Sequence, residues 1–314
     1  MPPAEGGGME IIMIIGYLIS RAERFLIYNE ARHMEDTEEN EINYLKKIFR
    51  YRMGEELDLI NPKSFNQKIQ WLKLYDRNPR YTKLVDKYEV KFIVDRILGT
   101  GYTFPTIGAW SHFSDIDFNE LPNEFVLKCT HDSGGVVICK NKINFDKSAA
   151  KKKLEGSLRK NYYTISREWP YKNVEPRIIA EPYMVDDSGA ELTDYKFMCF
   201  NGKVKCIFTC TDRYAPEGLK VTFFDTNWEK MPFKRHYPTD KIPIEKPHSF
   251  DEMVHLSEQL SKGIPFVRVD FYEINGKPYF GEMTFYPGTG MEEFTPREWD
   301  DILGSWIELP PKYR

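Results

Sequence analysis

The chain lacks the cysteine spacing that metal sites and redox centres require. Its five cysteines, at 129, 139, 199, 206 and 210, are odd in number and form no CxxC pair. They sit inside apolar, strand-like runs, which reads as reduced core thiols rather than a disulfide framework. The six histidines are scattered, and only His131 lies beside a cysteine, so a zinc site is not expected. Positive charge is not in excess either. Forty-four Lys and Arg against 48 Asp and Glu leave a net charge of -4, which removes a global nucleic-acid footprint. No apolar run reaches the ~20 residues that span a bilayer. The longest, Ile11 to Ile19, is interrupted by Gly16 and Tyr17. The preceding MPPAEGGG carries Glu5 and no basic residue, unlike the start of a secretory signal, and reads as a flexible leader. A helix over 11–27 is the one stretch suited to lying on a membrane surface. There is also no GxSxG elbow, no GxxxxGK[ST] loop and no GxGxxG.

The chain does hold 314 residues, 41% of them hydrophobic, enough for a sizeable core and more than one lobe. Its first hundred residues read as helices. Ile42, Leu45, Ile48 and Phe49 recur at helical spacing. Ser64 with Gln67 forms a capping box for a helix burying Phe65, Ile69 and Leu72. A further helix is expected from Pro79 to Gly99, burying Leu84, Val85, Tyr88, Phe92 and Ile97. Strands follow: Phe125–Cys129 and Val136–Lys140 flank the loop His131-Asp132-Ser133-Gly134-Gly135, and Arg177–Glu181 ends at Pro182. Two hairpins turn on Asn201-Gly202 and Asn275-Gly276. Between them Ser249 and Glu252 suggest a second capping box. Strands interrupted by single helices predict an α+β fold.

Four groups of residues could carry chemistry. The Ser133-Gly134-Gly135 loop can offer backbone N–H groups to an anion, with Lys128 adding charge, although a plain turn has the same composition. On the strand Val267 to Phe271, alternation puts Arg268 and Asp270 on one face. Whether Glu282 joins them depends on register. A strict two-residue turn pairs Ile274 with Lys277 and sends Glu282 to the opposite face from Asp270. A three-residue loop with Gly276 in a bulge pairs Glu273 with Lys277 and sets Arg268 across from Glu282; this bulged turn is the expectation. Two carboxylates on one face repel unless a cation intervenes, and Mg2+ with phosphate oxygens suits them. An Arg268–Glu282 ion pair is the plainer alternative. Asp194 and Lys196 share a third face, and Glu181-Pro182-Tyr183-Met184 forms a strand end able to border a flat heterocycle.

The order of these groups resembles the ATP-grasp superfamily, and more closely its TupA-like (teichuronopeptide-biosynthesis) family. The likeness covers roughly residues 57 to 309. It rests on LDLINPKSFNQKIQWLKLYDRNP (57–79), YTKLVDKYEV (81–90), FVLKCTHDSGG (125–135), NYYTISREWPYKNVEPRIIAEPYM (161–184), DYKFMCFNGK (194–203) and RVDFYEINGKPYFGEMTFYPGTG (268–290). The resemblance implies two α+β lobes closing on ATP: an N-terminal region 1–56, a helical segment with the first lobe over 57–184, and a second lobe over 185–314. It implies that Lys128, Ser133, Gly134, Gly135, Glu181, Tyr183, Met184 and Asp194 contact ATP, that Lys196 and Arg268 act on its phosphates, and that Asp270 and Glu282 hold Mg2+. Thr284 departs from the superfamily, where Asn is common two residues after the metal glutamate. The implied activity is ADP-forming carboxylate–amine ligation through an acyl phosphate, in the making of a cell-surface polysaccharide. A uronic acid would be the acceptor and an amino acid the amine, with the protein cytoplasmic or peripheral at the inner membrane face. A glycosyltransferase using Asp115-Ile116-Asp117, a kinase on the same ATP site, and a scaffold with a degenerate site are the competing readings.

Overall fold

The computed structural model describes residues 21–187, 192–212 and 218–312. The expected surface helix therefore lies largely outside the described residues. Its last part belongs to α1, over 21–33, which exposes Phe25 and Leu26 and buries Ile27 and Ala31. No helix among the described residues is long and apolar enough to cross a membrane.

Helices α2 (Glu38–Met53), α3 (Phe65–Tyr75), α4 (Arg80–Val85) and α5 (Glu89–Leu98) follow. The cap at Ser64 forms as expected, its hydroxyl accepting from the Gln67 N–H, while Gln67 reaches back to the N–H of Lys63. The single helix expected from Pro79 to Gly99 is two helices. Asp86 accepts from the N–H groups of Tyr88 and Glu89 and so starts a new helix. The restart turns the buried stripe onto Val90 and Val94, leaving Phe92 54% exposed.

A four-stranded antiparallel sheet runs in the order β1-β4-β2-β3, from Gly108–Trp110, Ile178–Pro182, Phe125–Cys129 and Val136–Cys139. Helix α6 (Lys147–Leu158), capped by Asp146, packs on it, and the short α7 (Tyr163–Ser166) follows. A second antiparallel sheet runs β10-β9-β5-β6-β7, from Lys277–Thr284, Phe266–Ile274, Asp194–Phe200, Lys203–Thr211 and Lys220–Phe224, while the short β8 (Lys234–Arg235) pairs outside it with β11 (Phe294–Thr295). Both Asn-Gly turns have positive φ at each residue, the conformation that matches strand twist in a two-residue hairpin.

The two faces of the second sheet have different partners. Phe197, Val269 and Phe271 project toward α8 (Phe250–Ser261), where Phe250 lies 6.0 Å from Phe197. The other face carries Phe200 and Phe266 at one end, and Phe65 of α3 packs edge-on against Phe266 there. Beyond that covered end the same face carries Met198, Lys196 and Asp194 of β5 beside Arg268, Asp270 and Tyr272 of β9. The helices thus cover one half of a sheet face and leave the polar half facing the first sheet's side of the fold.

The second capping box is replaced. Ser249 gives no cap to α8; its hydroxyl and N–H instead donate to Glu273 of β9, at 2.5 and 2.6 Å. A carboxylate from another element therefore sits at the helix N-terminus, where the helix dipole favours it. The five cysteines are free and buried.

Helix α9 (Glu298–Ser305) closes the α3 end through Gly304, where an added Cβ would stand 2.2 Å from the Lys63 carbonyl and 2.6 Å from the Phe65 nitrogen. Backbone at a helix start cannot retreat as a side chain would. Gly304→Ala is expected to cost about 1–3 kcal/mol, read as a lowered urea midpoint; an unchanged midpoint would show that α9 is not seated by this contact.

Candidate active site

The register of β10 decides the site, and it differs from the expected one. The Asn275-Gly276 turn is the strict two-residue form, pairing Ile274 with Lys277. The extra residue enters later: the ladder slips between Phe280 and Glu282, with Gly281 as the unpaired residue of a bulge. After the slip Glu282 lies opposite Asp270, and Thr284 opposite Arg268. The expected bulge at Gly276 is thus corrected to Gly281, while Glu282 still reaches the face of Asp270. The strand can cross here because a Cβ on Gly281 would come within 3.2 Å of the Asp270 carbonyl and 3.1 Å of the Tyr272 ring.

Three strands then converge their charges. Arg268 holds Asp270 with two bonds, Nε to Oδ1 at 2.6 Å and a terminal nitrogen to Oδ2 at 2.7 Å. The same terminal nitrogen reaches Glu282 Oε1 at 2.9 Å. Lys196, directly across from Asp270 on β5, donates to its Oδ2 at 2.5 Å and stands 3.6 Å from Asp194. Thr284 donates to Glu282 at 3.2 Å. Burial by itself would raise the Asp270 pKa, but the charges of Arg268 and Lys196 outweigh it and hold the carboxyl below its ordinary value. Glu282 is the accessible partner, with 39% of its side chain exposed against 3% for Asp270.

The first sheet carries a second charged cluster. Glu181 of β4 is buried and salt-bridged to Lys128 of β2 at 2.6 Å and to Lys91 of α5. Burial would raise its pKa; the two lysines overcome that and lower it. The side chain of Glu181 therefore positions two lysines. Lys91 was absent from the sequence-derived set, and its other bonds go to the Phe104 carbonyl and the Thr106 hydroxyl. Phe104 joins the clusters. Its ring lies 5.8 Å from the Lys128 ammonium, stacks on Tyr279 of β10 and touches Tyr272 of β9. Tyr183 and Met184 follow at the edge of this group, and the next residues bond to the hairpin turn: Asn275 donates to Asp186 and accepts from the Asp187 N–H.

In the glycine loop, Asp132 accepts from the Gly135 N–H at 3.0 Å and from the Ser157 hydroxyl. A Cβ on Gly135 would meet Cys129 and Ser157 at 2.7 Å, so this glycine serves close packing. Ser133 and Gly134 are the exposed part of the loop. Tyr162 lies near Glu168, Ser133 and Glu282, which brings the loop and the carboxylate face to one place. Tyr163 and Arg167 are structural: Arg167 is buried on Asp36 and the Ala31 carbonyl. Asp115 and Asp117 sit exposed in a turn in which Asp117 accepts from the Asn119 N–H.

The residues following β10 form a strained loop. Gly288, Thr289 and Gly290 all have positive φ, and Thr289 is the unusual member because its Cβ disfavours that conformation. Helix α3 holds it: Lys73 donates to the Thr289 carbonyl at 2.6 Å, and Gln70 donates to the carbonyls of Thr289 and Gly290.

This assembly of two lysines on one sheet and an arginine-bridged carboxylate pair on the other can neutralise a polyanion and a hard cation together. A family model, described as TupA-like ATPgrasp, matches residues 67–308. The chain belongs to the TupA-like ATP-grasp family. No curated protein sequence matches it. Among solved structures it is similar to D-alanine–D-alanine ligase from Bacillus anthracis complexed with ATP, at 16% identity and a TM-score of 0.38, over 70% of this chain and 57% of that one. It is also similar to the corresponding ligase from Helicobacter pylori (13%, 0.38, covering 79% and 70%) and to the ATP-grasp ligase PsnB complexed with minimal precursor, Mg and ADP (9%, 0.37, covering 70% and 57%). The chain spans less than two thirds of the Bacillus anthracis ligase and of PsnB.

Behind the site, Glu168 is buried with one carboxylate oxygen lacking a hydrogen bond, and burial pushes its carboxyl up to about 8, opposed only by the charge of Lys73. The folded protein then retains a proton that the unfolded chain releases near a carboxyl's ordinary 4.5. Its stabilising contribution is full below that value and is lost as pH rises toward 8. Glu168→Gln mimics the protonated form and is expected to flatten the decline in melting temperature between pH 5 and pH 8. An equal decline in the variant would place the titration elsewhere.

Proposed function

We propose that this protein is an ATP-dependent ligase that joins a carboxylate to an amine and releases ADP and phosphate. A carboxylate resists amine attack because its oxygen is a poor leaving group. In the proposed reaction a carboxylate oxygen attacks the γ-phosphorus of ATP, the bond from that phosphorus to the β-bridging oxygen breaks, and ADP leaves. The amine nitrogen then attacks the acyl carbon, phosphate departs with the C–O bond electrons, and the nitrogen gives up its proton. The observation that carries this reading is the Arg268-bridged pair of Asp270 and Glu282, with Lys196 beside it, in a chain of the ATP-grasp family.

The work assigned to the protein is positioning and charge neutralisation. Lys91 and Lys128, held by Glu181, would bind phosphate oxygens of ATP. Ser133 and Gly134 would cover them, and Glu181 to Met184 would border the adenine, with Asp194 completing the nucleotide contacts. Lys196 and Arg268 would meet the transferred phosphoryl group. Asp270 and Glu282 offer hard oxygen donors of the kind Mg2+ prefers, and Glu282 is exposed enough to accept it. Mg2+ bound there would supply further positive charge on the phosphates. Thr284 offers a hydroxyl, a weaker donor than an amide oxygen. A route through a cysteine nucleophile is disfavoured, since burial pushes the Cys129 and Cys199 thiols up to about 12. The acceptor is read as a uronic acid and the amine as an amino acid, in surface-polysaccharide formation. The same reading divides the chain at 57 and 185, with the metal carboxylates on the C-terminal part.

Asp270 neutralises two buried cations, so replacing it would cost stability as well as activity. Glu282→Gln is the cleaner test. ADP formation with Mg2+ is expected to fall at least about a hundredfold with the melting temperature retained; wild-type turnover would refute the metal assignment. Lys128→Ala leaves Lys91 on Glu181 and is expected to weaken ATP binding about tenfold or more. Unchanged ATP affinity would remove Lys128 from the phosphate site.

A further inference from the structure

A cavity of about 620 Å3 opens between the N-terminal helices and residues 160–166. Its walls include Arg32 of α1, Arg52 of α2, Lys160, the tyrosines Tyr28 and Tyr162, and Thr289 of the strained loop. Among the described residues no aspartate, glutamate or histidine lines it. None of the three cations forms an ion pair with a described residue, although the chain as a whole is acidic. The neighbouring cavity on α2 provides the contrast. There Lys47 is paired with Glu30 at 2.7 Å and Arg50 with Glu56 at 3.4 Å. Three like charges gathered in a concave wall repel one another, and an anion entering between them relieves that repulsion while gaining charge-assisted hydrogen bonds.

The cavity adjoins the proposed reaction centre. Tyr162 forms part of its wall and also lies near Glu168, Ser133 of the glycine loop and Glu282. Its ring lies 5.0 Å from that of Tyr171, which lies near Glu168, Glu282 and Arg268. Thr289, five residues beyond Thr284, forms another part and is fixed by Lys73 and Gln70.

We propose that this cavity binds an acidic saccharide, an acceptor bearing negative charge beyond the carboxylate that reacts. The cations would take the carboxylates of units next to the reacting one. The partly exposed tyrosines would offer ring faces to the apolar faces of the sugars and hydroxyls to their polar edges. This rests on the ligase reading for the identity of the reacting group, while the binding itself needs no nucleotide.

Calorimetric titration of the full chain with tetragalacturonate, without ATP, tests it. Saturable binding that weakens as salt is raised is expected. Arg52→Gln and Lys160→Gln, at exposed positions away from the core, should each lower affinity about tenfold. Arg52→Lys should recover most of the loss, and Lys47→Gln in the neighbouring cavity should leave affinity unchanged. Absence of binding at millimolar tetragalacturonate, equal affinity in the glutamine variants, or tighter binding of tetraglutamate would each overturn the proposal, the last by assigning the cavity to an acidic peptide. ATP-induced thermal stabilisation and ADP release, followed separately, distinguish the two readings. Saccharide binding without ATP turnover would sink the ligase and leave this site standing; turnover with an acid that ignores Arg52 and Lys160 would do the reverse.

Discussion

Asp270 is a carboxylate with almost no exposure, held between an arginine and a lysine from adjacent positions of an antiparallel sheet. Desolvating one such charge alone costs several kcal/mol, and Asp270 in turn compensates the buried charges of Lys196 and Arg268. The three groups are therefore interdependent, and their shared requirement sets the geometry around them. The ladder must place Lys196 across from Asp270, Arg268 must reach back two residues along its own strand, and Glu282 must come over from β10 to use the remaining donor capacity of Arg268. A buried ionic cluster of this kind adds little net stability compared with an apolar core. Its presence on the half of a sheet face that the helices leave uncovered is what makes it the candidate functional centre.

The rest of the molecule serves that half-face. Phe65 and its aromatic neighbours close one end, so among the described residues the polar end is the part of that face left uncovered. Phe104 runs between the sheets, tying Lys91 by its carbonyl and packing against Lys128, Tyr279 and Tyr272 with its ring. Helix α3 contributes at both levels: its apolar side packs on the sheet, and its Lys73 and Gln70 hold the strained loop that follows the carboxylate strand. The N-terminal helices thereby share in building the site and supply two walls of the adjacent cationic cavity.

How far the residues could be read in advance varied with the range of the interaction. The hairpin at Asn201-Gly202, the cap at Ser64, the strand around Lys128 and the alternation along Val267–Phe271 all follow from neighbours in the chain. The helix break at Asp86 was present in the sequence as a cap residue, yet the apolar positions around it also fitted one continuous helix. Ser249 offered a local cap that lost to Glu273, a stronger acceptor brought in by β9. Lys91 had no distinguishing signal, because an amphipathic helix presents many lysines and only the fold shows which one meets a buried glutamate. Family resemblance pointed to the strands that hold the candidate site, but it did not reveal that Glu181 is clamped by two lysines.

The sequence by itself determined the α+β character, the tight turns, and which residues of each strand share a face, since those depend on backbone preferences and a period of two. The face on which Glu282 lies was decided only in three dimensions. One extra residue in a ladder reverses every side chain beyond it, and the sequence offers a glycine for the bulge at both Gly276 and Gly281. The close approach of the Tyr272 ring and the Asp270 backbone admits a residue without a side chain at Gly281, and the attraction between Arg268 and Glu282 holds the strand in that register.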